Sequence, residues 1–275
     1  MDNYKVDYHI HTICSDGEAT PTEIVKRAKE LEYDIISITD HDNVDGQKEA
    51  AIAGEAVGLK VVPGIEVAVL ALDDVGIHML GYDFDLENQE LLDFLERIVE
   101  GRKQRNEEFL QALASIGYPL KIEDVNEGKN HYMGKPDIAK ALVRKGFIEN
   151  EREAYGPKIL SSPECRAVQR RKPTAYEAIN VILAAGGIPV MAHPIQMRRI
   201  GRPGSEEFYR NADRIIRDLK IHGLKGLECF HPDQDEEASR RFVEIAEKYH
   251  LHITRGSDFH GKDLADAEKT ADYTI

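Results

Sequence analysis

Cysteine is scarce in this sequence. It occurs only at Cys14, Cys165 and Cys229, and no two of these form a C-x-x-C pair. An odd number of cysteines without that spacing argues against a disulfide framework and against a zinc ribbon.

Long apolar runs are also missing. No stretch reaches about 18 uninterrupted apolar residues, which argues against a membrane-spanning helix. The first residues, MDNYKVDYHIHT, have neither the basic start nor the apolar stretch of a secretory signal. We therefore expect a cytoplasmic protein that does not associate with membranes.

Positive charge is in the minority. The chain has 36 Lys and Arg residues against 50 Asp and Glu residues, a formal net charge of -14. This balance disfavours a broad basic surface for duplex DNA. It remains compatible with small anionic substrates, because bound divalent cations would reverse the local charge at a site rich in carboxylates.

Strand and helix patterns alternate along most of the 275 residues. Residues 6–10 predict a strand, and TPTEIVKRAKEL predicts a helix that begins with a capping box formed by Thr20 and Glu23. A second capping box, Thr174 with Glu177, begins a later helix. About seven strands are predicted, and a helix follows most of them. This order indicates the α/β class and a barrel.

The segment from about 100 to 172 departs from this alternation. It is charged and rich in helix patterns, and it contains no convincing buried strand. We therefore predict a barrel formed by residues 1–99 and 173–275. Residues 100–172 would form a helical insert that caps the substrate site.

Histidines and acids stand at or near the ends of the predicted strands. His9 and His11 are two positions apart in one strand, so their side chains point to the same face. The other side chains placed in this way are Asp40, His41, Glu66, His78, His193, Asp258 and His260. Because the carboxyl ends of the strands in a β/α barrel face one mouth, these residues could converge there.

We predict a multinuclear metal site at that mouth. A purely structural role for these residues would leave many costly polar groups without partners. The mixture of imidazoles and carboxylates, with no convincing cysteine ligand, favours Mn, Fe or Zn over Mg.

Six motifs, in this order, resemble the PHP (polymerase and histidinol phosphatase) superfamily of metal-dependent phosphoesterases. They are H-x-H with S-D-G, I-T-D-H-D, P-G-I-E, H-x-L-G-Y, A-H-P and G-S-D-x-H, and they span His9 to His260. The resemblance implies a distorted (β/α)7 barrel with a small helical insert domain. It also implies two or three divalent metal ions.

The family pattern, carried over to this chain, assigns a ligand set to each ion. The first set is His9, His11, Glu66 and Asp258; the second is Glu66, His78 and His193; the third is Asp16, His41 and His260. Glu66 would bridge the first two ions. Asp16 stands where some relatives have histidine, and Asp40 would orient a ligand.

Within the superfamily, the motifs most resemble the branch of nucleoside 3',5'-bisphosphate phosphatases and 5'-to-3' exoribonucleases. Members often carry G-R-P-H-x-A in the insert, whereas this chain has Lys135 and Asp137 at the arginine and histidine positions. The resemblance implies hydrolysis of phosphate monoesters, of nucleoside bisphosphates or of short RNA ends. A metal-bound hydroxide would be the nucleophile.

Further residues are candidates for contacts with this substrate. His231 could protonate the leaving oxygen or hold phosphate, although a surface histidine before Pro232 is an equally good interpretation. Arg198, Arg199 and Lys135 are the expected phosphate contacts.

Three other functions remain open. One is a phosphatase for histidinol phosphate or another small metabolite, and another is a metal-dependent amidohydrolase. The third is a metal-binding scaffold without activity. Every ligand position of the family pattern is filled in this chain, which favours an enzyme.

Overall fold

The computed structural model describes residues 4–126, 134–168 and 172–270, without the side chains of 268–270. Seven strands form one sheet in the order of the sequence. They are Val6–Ile10 (β1), Ile35–Ile38 (β2), Lys60–Leu70 (β3), Gly76–Tyr82 (β4), Ile188–Met191 (β5), Gly226–Phe230 (β6) and His252–Arg255 (β7).

The sheet curves into a nearly closed barrel. Strands β1 to β3 are parallel, and so are β5 to β7. The first strand returns to the segment after β7, where His11 N–H donates to the carbonyl of Phe259 at 2.9 Å. The predicted α/β barrel is therefore confirmed.

Strand β4 runs against the other strands. It pairs antiparallel with both β3 and β5, and a short 3-10 turn at Leu72–Asp74, not a crossover helix, joins it to β3. The expectation that every strand presents its carboxyl end to one mouth is wrong for this strand. Its amino end lies there instead.

Eleven helices occur in the described residues. They are Pro21–Glu30 (α1), Gln47–Val57 (α2), Gln89–Ser115 (α3), Ile122–Asn126 (α4), Lys135–Arg144 (α5), Glu151–Ala154 (α6), Pro163–Ala167 (α7), Ala175–Ala184 (α8), Glu206–Ile221 (α9), Glu236–Lys248 (α10) and Ala265–Thr270 (α11). Both predicted capping boxes are confirmed, at the starts of α1 and α8. No described helix is long and apolar enough for a membrane span.

The chain divides into two compact units. One comprises residues 1–95 and 172–275 and contains the barrel; the other comprises 96–171. The second unit has its own core, in which Leu113, Ile138 and Leu142 are fully buried. In its described residues the only regular elements are helices. Its role as a substrate cap stays a prediction.

Candidate metal centre

Glu66 lies at the centre of a cluster of histidines at the barrel mouth. Its side chain, on β3, is 1% exposed. Three imidazole nitrogens lie about one hydrogen-bond length from its carboxylate: His78 Nδ1 at 2.9 Å, His41 Nδ1 at 2.9 Å and His193 Nε2 at 3.0 Å. Two more lie slightly farther away, His9 Nε2 at 3.3 Å and His11 Nε2 at 3.4 Å.

Different strands bring these side chains together. His9 belongs to β1 and His11 follows it, while His41 and His193 come soon after β2 and β5. His78 reaches the same mouth from near the start of β4, because that strand is reversed. His78 thus lies in the cluster, but it comes from the start of a reversed strand and not from a carboxyl end.

The cluster contains three groups of residues, and within each group the ligand atoms lie within 4.8 Å of one another. They are His9, His11, Glu66 and Asp258; His11, Asp16, His41 and His260; and His41, Glu66 and His78. The first two groups contain the ligand sets expected for the first and third ions. The remaining group has His41 where the family pattern places His193, although His193 contacts the same Glu66 oxygen as His78.

Several polar atoms at the centre of this cluster are buried without a hydrogen-bond partner. Among the described residues these include His9 Nε2, His11 Nε2, Asp16 Oδ1 and Glu66 Oε2. Leaving such atoms buried and unpaired is costly. Divalent cations would satisfy all four, since imidazole nitrogens and carboxylate oxygens are ordinary ligands of such ions. The residues present therefore fit metal ions.

The charges in the cluster shift its pKa values strongly. Burial by itself would lower the pKa of His11, but the nearby carboxylates of Asp258 and Glu66 raise it to about 10. Burial likewise opposes the charge of Glu66 and Asp258, yet the surrounding histidines hold both carboxyl pKa values well below the ordinary range. The metal-free protein therefore keeps the extra ring proton on His11, and a metal ion must displace it.

Asp40 lies behind the cluster and orients the segment after His11. Its carboxylate accepts hydrogen bonds from Thr12 N–H at 2.8 Å, Thr12 Oγ1 at 2.7 Å and Ser15 Oγ at 2.6 Å. Ser15 Oγ lies 3.4 Å from His11 Nδ1. Asp40 is thus connected to His11 through Ser15, and its role in orienting a ligand stays a prediction.

Two buried acids of the site were not predicted. Glu228, on β6, lies 3.0 Å from His9 Nδ1 and accepts a 2.7 Å hydrogen bond from His193 N–H. Asp7, on β1, accepts from the main-chain N–H groups of His9 and Ser257. The signal in the sequence was an acid inside an apolar strand, GLECF in one case and KVDYHI in the other.

His231 is not a surface residue. It is 5% exposed, and its Nδ1 accepts a hydrogen bond from Asp233 N–H at 3.1 Å. A neutral ring with that bond carries its proton on Nε2, which lies 3.3 Å from Asp258 Oδ2. His231 therefore presents a donor nitrogen to the cluster.

A cavity of about 480 Å³ lies beside His78 and His193. Its lining combines apolar side chains, such as Met191 and Met197, with the cations Lys172, Arg198 and Arg199 and the acid Asp74. Among the described residues, neither Arg198 nor Arg199 makes an ion pair. Both arginines are exposed, and Arg199 has a left-handed backbone with φ of 67°.

Lys135 lies in the other unit, at the first position of α5. The neighbouring Asp137 accepts a 2.9 Å hydrogen bond from Gly134 N–H. The acid that replaces histidine in this motif thus caps the helix on which it lies.

Comparison with known proteins adds three findings. The profile of the family described as PHP domain matches residues 7–186. A 5'-3' exoribonuclease of Haemophilus influenzae is 28% identical over 93% of this chain and 90% of its own, and a 3',5'-nucleoside bisphosphate phosphatase of Chromobacterium violaceum is 28% identical over 96% and 91%. A solved structure from Bifidobacterium adolescentis, described as a metal-dependent phosphoesterase, has a TM-score of 0.79 and 30% identity, over 95% of this chain and 89% of its own.

Proposed function

The chain belongs to the PHP domain family and is a metal-dependent phosphoesterase, and from this premise we propose that it removes phosphate from nucleotides. The proposed substrates are nucleoside 3',5'-bisphosphates or short 5'-phosphorylated oligonucleotides. The two relatives reported above are named as enzymes that act on such substrates, and each aligns with nearly the whole of this chain.

The observation that carries this proposal is the set of buried, unpaired ligand atoms around Glu66. It supports two or three divalent ions with the ligand sets that the family pattern implies, and with Glu66 shared between two of them. Such ions supply an acidified water molecule and a clamp on phosphoryl oxygens. Manganese, iron or zinc suits the donor set better than magnesium does.

Residues around the ions would protonate the leaving group and hold the phosphate. His231 carries its ring proton on the side of the cluster, so it can donate that proton to the leaving oxygen. Arg198 and Arg199 line the adjacent cavity and can hold phosphate oxygens by paired hydrogen bonds. The phosphate contact expected of Lys135 from the sequence stays a prediction.

The size of the cavity favours a small substrate. A volume of about 480 Å³ suits a mononucleotide or the end of a short oligonucleotide. Its apolar wall offers a surface for a base, whereas its cations offer contacts for phosphate. The expected cytoplasmic location stays a prediction.

The test is a phosphate-release assay with metal-stripped protein reloaded with Mn²⁺. The panel contains a nucleoside 3',5'-bisphosphate, the matching 5'-monophosphate, a short 5'-phosphorylated RNA and histidinol phosphate. We expect the highest kcat/KM for the bisphosphate or the RNA. His252→Gln is the matched control for cluster variants, because His252 is an exposed histidine on β7.

Each alternative function has its own outcome in this assay. Preference for histidinol phosphate would overturn the nucleotide assignment but leave the metal chemistry intact. Release from no phosphate ester would favour either an amidohydrolase or a scaffold. A panel of amide substrates would then separate those two.

A further inference from the structure

Glu228 joins two predicted metal ligands that come from different strands. Its side chain is 0% exposed and lies inside the barrel, on β6. One carboxylate oxygen lies 3.0 Å from His9 Nδ1, and the other accepts from the main-chain N–H of His193 at 2.7 Å. A single buried carboxylate thus contacts residues from the first and the second ligand sets.

The first contact fixes the orientation of the His9 ring. A carboxylate only accepts hydrogen bonds, so Nδ1 must carry a proton, and in the neutral ring Nε2 then has the free electron pair. Nε2 lies 3.3 Å from Glu66 and 3.4 Å from Asp258, at the centre of the cluster. Glu228 therefore selects the tautomer in which His9 can bind a metal through Nε2.

The second contact holds the backbone of His193. This residue has φ of 21° and ψ of 64°, a conformation that L-residues rarely adopt. Its ring Nε2 lies 3.0 Å from Glu66. The hydrogen bond to Glu228 compensates part of the cost of this backbone and places the ring over Glu66.

The space around Glu228 leaves little freedom for another arrangement. A Cβ added to Gly256 would lie 2.7 Å from Glu228 Oε1 and 2.1 Å from His9 Cβ. A glutamine at position 228 would fit this space but would have only one acceptor oxygen. One of its two partners would then face an N–H group.

We propose that Glu228 is a positioning residue that couples two metal sites, the one that includes His9 and the one that includes His193. This inference rests on the ion assignment of the proposed function. Replacement of the carboxylate by an amide disturbs both sites together, because the N–H group that opposes one donor displaces the whole side chain from the other donor as well.

The test compares metal binding by wild-type protein, Glu228→Gln and Glu247→Gln. Metal-stripped full-length protein is titrated with Mn²⁺ or Zn²⁺ in a calorimeter, and the unfolding of each metal-free variant is measured in parallel. We expect Glu228→Gln to weaken at least two binding events by about 10–100-fold. Glu247→Gln is the control for loss of one glutamate charge, since Glu247 is exposed on α10 and belongs to none of the groups described above. Its ion affinities should stay close to the wild-type values.

A second measurement needs no variant. Nitrogen chemical shifts of the histidines in Zn²⁺-loaded wild-type protein report which ring nitrogen carries the proton. We expect a protonated Nδ1 and a metal-bound Nε2 for His9; the reverse would overturn the inference.

The outcomes separate this inference from the function on which it rests. Wild-type affinities in Glu228→Gln, with or without a loss of stability, would overturn the coupling role and leave the metal assignment intact. Weakening of a single binding event would also overturn it. Absence of binding to the wild type would overturn the metal assignment, and this inference with it.

Discussion

Removal of metal should make the stability of this protein fall as the pH rises above neutrality. The raised pKa of His11, about 10 against an ordinary value of 6.5, means that the folded metal-free protein holds a proton that the unfolded chain releases. Stability from such a group is complete below the unfolded pKa and is lost as the pH rises through the folded one. Burial by itself would lower the pKa of His9, but the carboxylates of Glu228, Glu66 and Asp258 raise it as well.

The slope of the unfolding free energy against pH depends on how many extra protons the folded protein holds. One retained proton lowers the free energy of unfolding by about 1.4 kcal/mol per pH unit, and two retained protons by about twice that. The window extends from about pH 7 to 9, above the ordinary pKa of histidine and below that of His11. At acidic pH the stability depends on Glu66 and Asp258, whose pKa values are lowered. The stability that these carboxylates contribute is lost as the pH falls below about 4. Metal-free protein should therefore be most stable between about pH 4.5 and 6.5.

Urea unfolding of metal-stripped protein at several pH values measures this slope. Excess Mn²⁺ should flatten it between pH 7 and 9, because imidazoles that bind a metal carry no proton at the ligating nitrogen. His11→Gln should reduce the slope by about one proton, whereas His252→Gln, at an exposed position, should leave it unchanged. A metal-free slope that is flat or positive would refute the reasoning.

Three further predictions concern catalysis. Glu66→Gln should lower kcat/KM about 100-fold or more and weaken Mn²⁺ binding, because five imidazoles lose the anion that they share. Steady-state phosphate release during a Mn²⁺ titration measures both effects. Wild-type values would contradict the bridging role of Glu66. Arg198→Ala and Arg199→Ala should each raise KM about tenfold, which is the effect of losing one charge-assisted contact. Arg202→Ala should leave KM unchanged, because Arg202 is on the same loop but does not line the cavity. Equal effects of all three substitutions would mean that only the overall positive charge of the loop matters. His231→Asn should lower kcat about 100-fold with little change in KM or metal content, because the variant loses the proton donor. A change in KM alone would instead argue that His231 binds the substrate.

Local patterns predicted much of the fold and of the candidate site. The period of two along β1 places His9 and His11 on one face, and the capping boxes mark the starts of α1 and α8. These features depend on neighbouring residues, so the sequence contains them directly. The convergence of the other histidines needed the barrel as a hypothesis.

Other features depend on partners that are distant in the chain. Glu228 is 219 positions from His9 and 35 from His193, and the period of its strand gives no reason for a carboxylate there. The reversal of β4 follows from its pairing with β3 and β5. A pattern that ranks residues by their nearness to strand ends therefore names most of the clustered side chains but misses Glu228, which contacts two of them.

The motifs of this chain also contain residues that allow the backbone to approach the site. A Cβ at Gly17 would lie 2.6 Å from the carbonyl oxygen of His11, and one at Gly64 would lie 2.1 Å from Ser37 Oγ. The glycine of G-S-D-x-H, Gly256, is equally restricted, because its backbone packs directly against the His9 side chain. In each of these three motifs an acid of the cluster lies within two residues of the glycine, and the glycine allows close packing at a place where a Cβ would clash. Substitution of these glycines should therefore disturb the metal site through the positions of its ligands, even though none of them has a side chain that could bind an ion.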